Sequence, residues 1–133
     1  MDFGLSDEQE MVVETVRTFV ENEIYPLENE VEKTGVVSNE IGQEIKNKVK
    51  QLGFFAPNMP EEVGGGGLDN LSFALLEREL GRGSQGLTIF CGRPSNILMA
   101  CDKKQKEEYL FPAIQGDKFD ALAMTEPSAG SDV

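Results

Sequence analysis

The sequence has no histidine and only two cysteines. Without histidine the chain can hold no Ser–His or Cys–His nucleophile pair, and it lacks the commonest nitrogen ligand for a metal ion. Cys91 and Cys101 show neither a C-x-x-C nor a metal-ligand spacing, so both are expected as reduced thiols and no metal site is expected. Positive charge is scarce: 12 Lys and Arg stand against 24 Asp and Glu, for a net charge of −12. That balance argues against nucleic acid as a partner, because phosphate binding needs a basic face. No apolar run approaches the ~20 residues of a membrane span. No basic, Ser-rich leader or signal-like segment opens the chain, and the expected location is cytoplasmic. No internal repeat or low-complexity stretch is present. What remains is an acidic chain of 133 residues, 39% hydrophobic, large enough for one domain with a real core.

Most of that chain reads as helix. Ser6 and Gln9 form a capping-box pair ahead of an acidic first turn. Val12, Val16, Phe19 or Val20, Ile24, Leu27 and Val31 then recur at threes and fours, which predicts one buried stripe from about Ser6 to Lys33. Pro26 either kinks this helix or divides it in two at Tyr25-Pro26. Ser38 or Asn39 caps a second helix through Ile41, Ile45, Val49 and Leu52, ended by Gly53; Lys46, Lys48 and Lys50 read as a solvated face. Four consecutive glycines, Gly64 to Gly67, read as a turn. No Lys-Ser follows them and no strand precedes them, as a phosphate-binding loop requires. Asp69 or Asn70 caps a third helix that buries Leu71, Ala74, Leu75, Leu76 and Leu80 and turns Glu77, Arg78 and Glu79 outward.

Residues 84–100 are apolar on nearly all sides, as in a central buried helix, but Gly92, Arg93 and Pro94 predict a break. Arg93 either reaches the surface or awaits an anionic group. Asp102 and Gln105 form a second capping box, with Tyr109, Leu110, Ala113 and Ile114 directed inward.

The last stretch differs in kind. Phe119, Ala121, Leu122, Ala123 and Met124 lead to Thr125, and the chain then breaks into Glu126-Pro127-Ser128-Ala129-Gly130-Ser131-Asp132. The pattern predicts a buried strand ending in a tight turn. Pro127 cannot continue a central strand, Gly130 can take positive φ, and Ser128, Ser131 and Asp132 can bond to local backbone. Such a turn either directs successive N–H groups at an anion or is an ordinary strand-ending loop.

The wording A-M-T-E-P-S-A-G-S-D resembles the signature of the acyl-CoA dehydrogenases, flavin enzymes that desaturate acyl-CoA thioesters between Cα and Cβ. P-E-E-V-G-G-G-G, L-E-R-E-L-G-R-G-S and K-K-Q-K-E-E-Y-L-F-P are similar to further stretches of that family. The resemblance implies an all-α N-terminal bundle domain over residues 1–117. Residues 118–133 would then be the first strand and FAD-binding turn of a β-domain. It also implies FAD contacts at the backbone of Leu122 and Met124 and at Thr125, with Gly130 and Ser131 near the pyrophosphate and Ser131 bordering the acyl-CoA. Thr88, Ile89, Cys91 and Gly92 either face the acyl group or pack as ordinary core. The departures are Leu122, where relatives often have an aromatic, Cys101, where they have glycine, and a segment from Gly86 to Gln105 about one helical turn shorter than usual.

By the same resemblance the catalytic base is a glutamate of a C-terminal helical domain, beyond Val133. No catalytic residue is expected in this chain, and Glu126 is read as structural. The chain resembles the first third of a family subunit and is expected to be inactive alone. Electron-transferring flavoprotein is the family's usual electron acceptor and the tetramer its common assembly. Three functions are in view: an acyl-CoA dehydrogenase; an enoyl-CoA reductase, or a relative oxidising an unusual acyl chain, on the same fold; and a flavin-free acidic helical interaction module. Bare apolar surface where the rest of a subunit would dock argues against the third.

Overall fold

The computed structural model describes residues 4–131. Its elements are α1 (Asp7–Phe19), a π-helical turn (Val20–Ile24), α2 (Tyr25–Thr34), α3 (Asn39–Gln51) and α4 (Asn70–Leu80). Shorter pieces follow: α5 (Gln85–Thr88), 3-10 turns at Ile89–Cys91 and Asn96–Ala100, α6 (Lys103–Gln105), a π turn (Lys106–Leu110) and α7 (Phe111–Ile114). The result is an all-α bundle, and no helix of it is long and apolar enough to cross a membrane.

Helix starts follow the caps. Ser6 and Gln9 exchange both capping-box bonds, Ser38 accepts from the Ile41 N–H, Asp69 accepts from Leu71 and Ser72, and Asp102 pairs with Gln105. The first helical segment divides at Tyr25-Pro26, where α2 begins, and it does so through a wider turn: the Tyr25 N–H reaches back five residues to the Val20 carbonyl, and Pro26 enters in the first turn of α2. A proline ring crowds the carbonyl four residues earlier, and a wider turn relieves that crowding. The same device precedes Pro112, where the Phe111 N–H reaches Lys106.

Val16, Phe19, Val20 and Ile24 pack with Ile45, Val49, Phe54, Leu76, Leu80 and Leu87 in one core. Phe19 and Phe54 meet edge to face, centroids 5.4 Å apart. A second cluster joins Ala56 and Met59 to Leu110 and Ile114. The glycine run lies against this cluster, as a turn. The N–H groups of Gly65, Gly66, Gly67 and Leu68 donate to the carbonyls of Pro60, Ala56, Met59 and Pro57 at 2.9–3.0 Å. Those amides are consumed internally, so they cannot cradle a phosphate. A Cβ on Gly65 would sit 2.2 Å from the Met59 carbonyl oxygen, so the close approach requires glycine.

Several expectations are corrected. Glu79 is buried, not outward, because it lies four residues after Leu75 and three after Leu76, on their face. Leu71, Ala74, Leu52 and Tyr109 are exposed. Lys46 is buried instead of solvated. Residues 84–100 break at Gly92 as expected, but they are short turns with Ile97 exposed, not a central buried helix. Gly92 at φ 69° and Pro94, which lacks an N–H, deny the ladder its continuation. Residues 118–125 form no strand and are exposed. A strand needs a neighbour to take its N–H and C=O groups, and no strand exists among the described residues. The start of a β-domain is therefore not seen, and Gly130 does not take positive φ. Asp132 lies outside the described residues.

Candidate functional site

The bundle hands over to its last stretch at Gly116, and α3 holds that point. Lys46 crosses from α3 with its ammonium donating to the Gly116 carbonyl at 2.6 Å. The same ammonium sits 4.9 Å from the centroid of the Phe119 ring. A buried cation with one carbonyl and one aromatic face as partners fixes the direction in which the chain leaves the bundle.

Phe119 in turn meets Phe90 edge to face, at 6.4 Å and 87°. Between these rings and Phe55 opens a cleft of about 470 Å³, lined also by Gln85, Ile89, Gly92, Arg93, Pro94, Ala113, Lys118 and Asp120. Its charged side chains are already engaged. Arg93 pairs with Glu77, the Ser95 N–H donates to Asp120 at 3.1 Å, and Lys118 donates to the Glu108 carbonyl at 2.8 Å while covering the Tyr109 ring. Arg93 is thus a paired rim residue, not a free anion receptor.

The candidate acyl-facing residues divide. Ile89, half exposed, and Gly92 line the cleft. Thr88 and Cys91 are buried, and Cys91 belongs to the main core. Burial pushes the Cys91 thiol up to about 12, so it is neutral and unreactive at neutral pH.

The candidate cofactor residues lie beyond the cleft. Leu122, Met124 and Thr125 are exposed, and the N–H groups of all three make no hydrogen bond among the described residues. Glu126 and Ala129 close the turn around Pro127 and Ser128, each N–H donating to the other's carbonyl at 2.7 and 3.2 Å. Gly130 and Ser131 follow, exposed, with nothing within 4 Å of a Cβ placed on Gly130. None of residues 122–131 lines the cleft; Phe119 and Asp120 are the link between the two stretches. The Leu122, Met124 and Thr125 amides and the Thr125 and Ser131 hydroxyls are exposed and make no hydrogen bond among the described residues, and donors of this kind can meet a flavin ring edge or a pyrophosphate.

Sequence reasoning missed Phe55, Phe90 and Phe119 as the cleft's walls, and Lys46 as its support. Lys46 follows Ile45 directly in the amphipathic pattern, and that adjacency was the available signal. It also missed the anchor between α1 and α4. There Glu79 receives Arg17 through two bonds of 3.0 and 3.1 Å, with Arg78 and Arg82 also on its carboxylate. The Arg17 hydrogen bonds hold its pKa down at about 2. Among the described residues no group of three or more His, Cys, Asp or Glu could hold a metal ion.

Comparison with known proteins gives a consistent set of similarities. Residues 6–117 match the family model described as acyl-CoA dehydrogenase, N-terminal domain. The chain is 39% identical over 132 residues to a 3-(aryl)acrylate reductase of Clostridium sporogenes, covering 96% of this chain and 34% of that protein. It is 35% identical to the caffeyl-CoA reductase-Etf complex subunit CarC of Acetobacterium woodii, covering 96% and 34%. It is 36% identical to a short-chain specific acyl-CoA dehydrogenase of Clostridium acetobutylicum, covering 99% and 35%. Among solved structures, butyryl-CoA dehydrogenase from Megasphaera elsdenii superposes with a TM-score of 0.73 at 30% identity, covering 99% of this chain and 36% of that one. The chain thus spans about a third of the length of the relatives it matches.

Proposed function

Because this chain belongs to the acyl-CoA dehydrogenase family, we propose that it serves as the N-terminal part of an FAD-dependent oxidoreductase acting on the Cα–Cβ bond of an acyl-CoA thioester. One observation carries the reading beyond family membership: a run of unpartnered amides at Leu122, Met124 and Thr125 directly follows a cleft of about 470 Å³. In this reading the backbone of Leu122 and Met124, with the Thr125 N–H and hydroxyl, holds the flavin ring. Gly130 and Ser131 approach the pyrophosphate, and Ser131 also borders the thioester. Ile89 and Gly92 face the acyl group, with Thr88 and Cys91 behind them. Residues 122, 124, 125, 130 and 131 would hold FAD, which when bound would supply the hydride acceptor for oxidation of the Cα–Cβ bond. We assign the proton-accepting carboxylate to no residue of this chain. The Glu126 backbone closes the turn, and Glu126 does not line this cleft.

The isolated chain is accordingly inactive in this account. Electron-transferring flavoprotein is the proposed electron acceptor, a homotetramer the proposed assembly and the cytoplasm the proposed location. The reverse direction, reduction of an enoyl thioester, is a second reading, favoured by the two relatives that are named as reductases. A visible absorbance spectrum of the full-length protein separates them. Flavin bleached by a saturated acyl-CoA supports the dehydrogenase. Reduced flavin reoxidised by an unsaturated thioester, with no bleaching by saturated ones, supports the reductase. Absence of flavin removes both and leaves an interaction module.

A further inference from the structure

The segment leading from the bundle to residues 122–125 is fastened at Gly116, Lys118, Phe119 and Asp120 in turn. The Gly116 carbonyl accepts from the Lys46 ammonium at 2.6 Å, and the Lys118 ammonium donates to the Glu108 carbonyl. The Phe119 ring meets Lys46 and Phe90, and the Asp120 carboxylate accepts from the Ser95 N–H. Lys46 is buried and holds two of these residues at once, whereas Lys118, Phe119 and Asp120 are exposed.

Stability alone does not account for a cation at this position. Burying an ammonium is costly unless it is paired, and the ion pairs of the described residues do not include Lys46. It shares the buried face of α3 with Ile45 and Val49, where an aliphatic side chain would pack without that penalty. A Cβ on Gly116 would lie 3.1 Å from the Lys46 Cδ, so a side chain there would push the lysine stem aside. Lys50, one turn along α3, provides the contrast. It is exposed, and its ammonium holds the Gln115 carbonyl at 2.5 Å and covers the Phe55 ring, short of the exit segment.

We propose that Lys46 is a positioning residue for the cofactor: by holding Gly116 and Phe119 together it sets where residues 122–125 leave the bundle, and so how well their amides meet FAD. The inference rests on the flavin reading above. Without that hold the exit segment must be ordered when FAD binds, and ordering even one residue weakens affinity about tenfold.

The test titrates FAD into the flavin-stripped full-length protein and reads its dissociation constant by fluorescence. Lys46→Met should raise that constant about tenfold. Phe119→Leu should raise it roughly two- to fivefold, and the double variant should match Lys46→Met alone, because both changes release one tie. Two controls separate positioning from mere stability. Ser38→Ala weakens the cap of the same helix, and Lys50→Met removes the neighbouring lysine; both should keep wild-type FAD affinity. Phe119 is 61% exposed, so Phe119→Leu decides the matter if Lys46→Met does not fold. Wild-type affinity in Lys46→Met or Phe119→Leu overturns the proposal and leaves the flavin reading standing. Equal weakening by Ser38→Ala or Lys50→Met also overturns it, since the effect would then be that of a loosened helix. A wild-type protein that takes up no FAD removes both.

Discussion

Two stretches of this chain treat their backbone amides in opposite ways. In the glycine turn, four successive N–H groups from Gly65 to Leu68 all end on carbonyls of the same loop. In the terminal stretch, Leu122, Met124 and Thr125 donate to nothing among the described residues, and their side chains are exposed. Both stretches carry glycine and proline and both look like loops in sequence. The first completes the bundle. In the second, the amides of Leu122, Met124 and Thr125 face solvent, and the function proposed above gives them a flavin as partner. Loop composition therefore says little about function until the hydrogen-bond accounts are closed.

That contrast can be broken most forcefully in the core. Leu76→Ala removes a fully buried side chain and should cost about 2–5 kcal/mol in denaturant unfolding. Leu122→Ala, at a side chain 82% exposed, should stay within about 0.5 kcal/mol. Next comes the Glu79 anchor between α1 and α4. Glu79→Gln should cost about 2–3 kcal/mol, less than a fully buried pair because its arginine partners are part exposed. Its carboxyl ionises near 2 in the fold against 4.5 unfolded, so its contribution is complete above pH 4.5 and is lost as pH falls toward 2. The gap between wild type and Glu79→Gln in unfolding free energy should close over that window.

The two glycines sharpen the comparison further. Gly65→Ala meets a backbone carbonyl and should cost about 1–3 kcal/mol, while Gly130→Ala meets open space and should stay within about 0.5. Ser38→Ala removes the α3 cap and should cost about 1 kcal/mol. The smallest signature is chemical: under native conditions a thiol reagent should label half-buried Cys101 and spare Cys91 until the chain unfolds, readable by mass spectrometry.

The sequence pattern carried the helices well, for a physical reason: caps and apolar spacing are local signals. Ser6–Gln9, Ser38, Asp69 and Asp102–Gln105 all start helices where the residues said they would. Two misreadings involve partners distant in sequence, while Leu52, Leu71, Ala74 and Tyr109 fit the helical pattern and are nonetheless exposed. Glu79 looks like one more surface acid until Arg17, 62 residues away, is seen on it. Lys46 looks solvated until the Gly116 carbonyl, 70 residues on, accepts its hydrogen bond. The expected strand at 118–125 is not seen among the described residues, where no neighbouring strand is present to pair with it. The cleft was half legible: Ile89 and Gly92 were singled out, but the phenylalanines that wall it come from three separate segments.

The central claim is that residues 122–125 present their amides to a flavin. Amide hydrogen exchange on the full-length protein, with FAD bound and with FAD removed, tests it directly. The account predicts that Leu122, Met124 and Thr125 gain strong protection with flavin, while Gly65 to Leu68 are protected equally in both states. Equal exchange at 122–125 with and without flavin would contradict it.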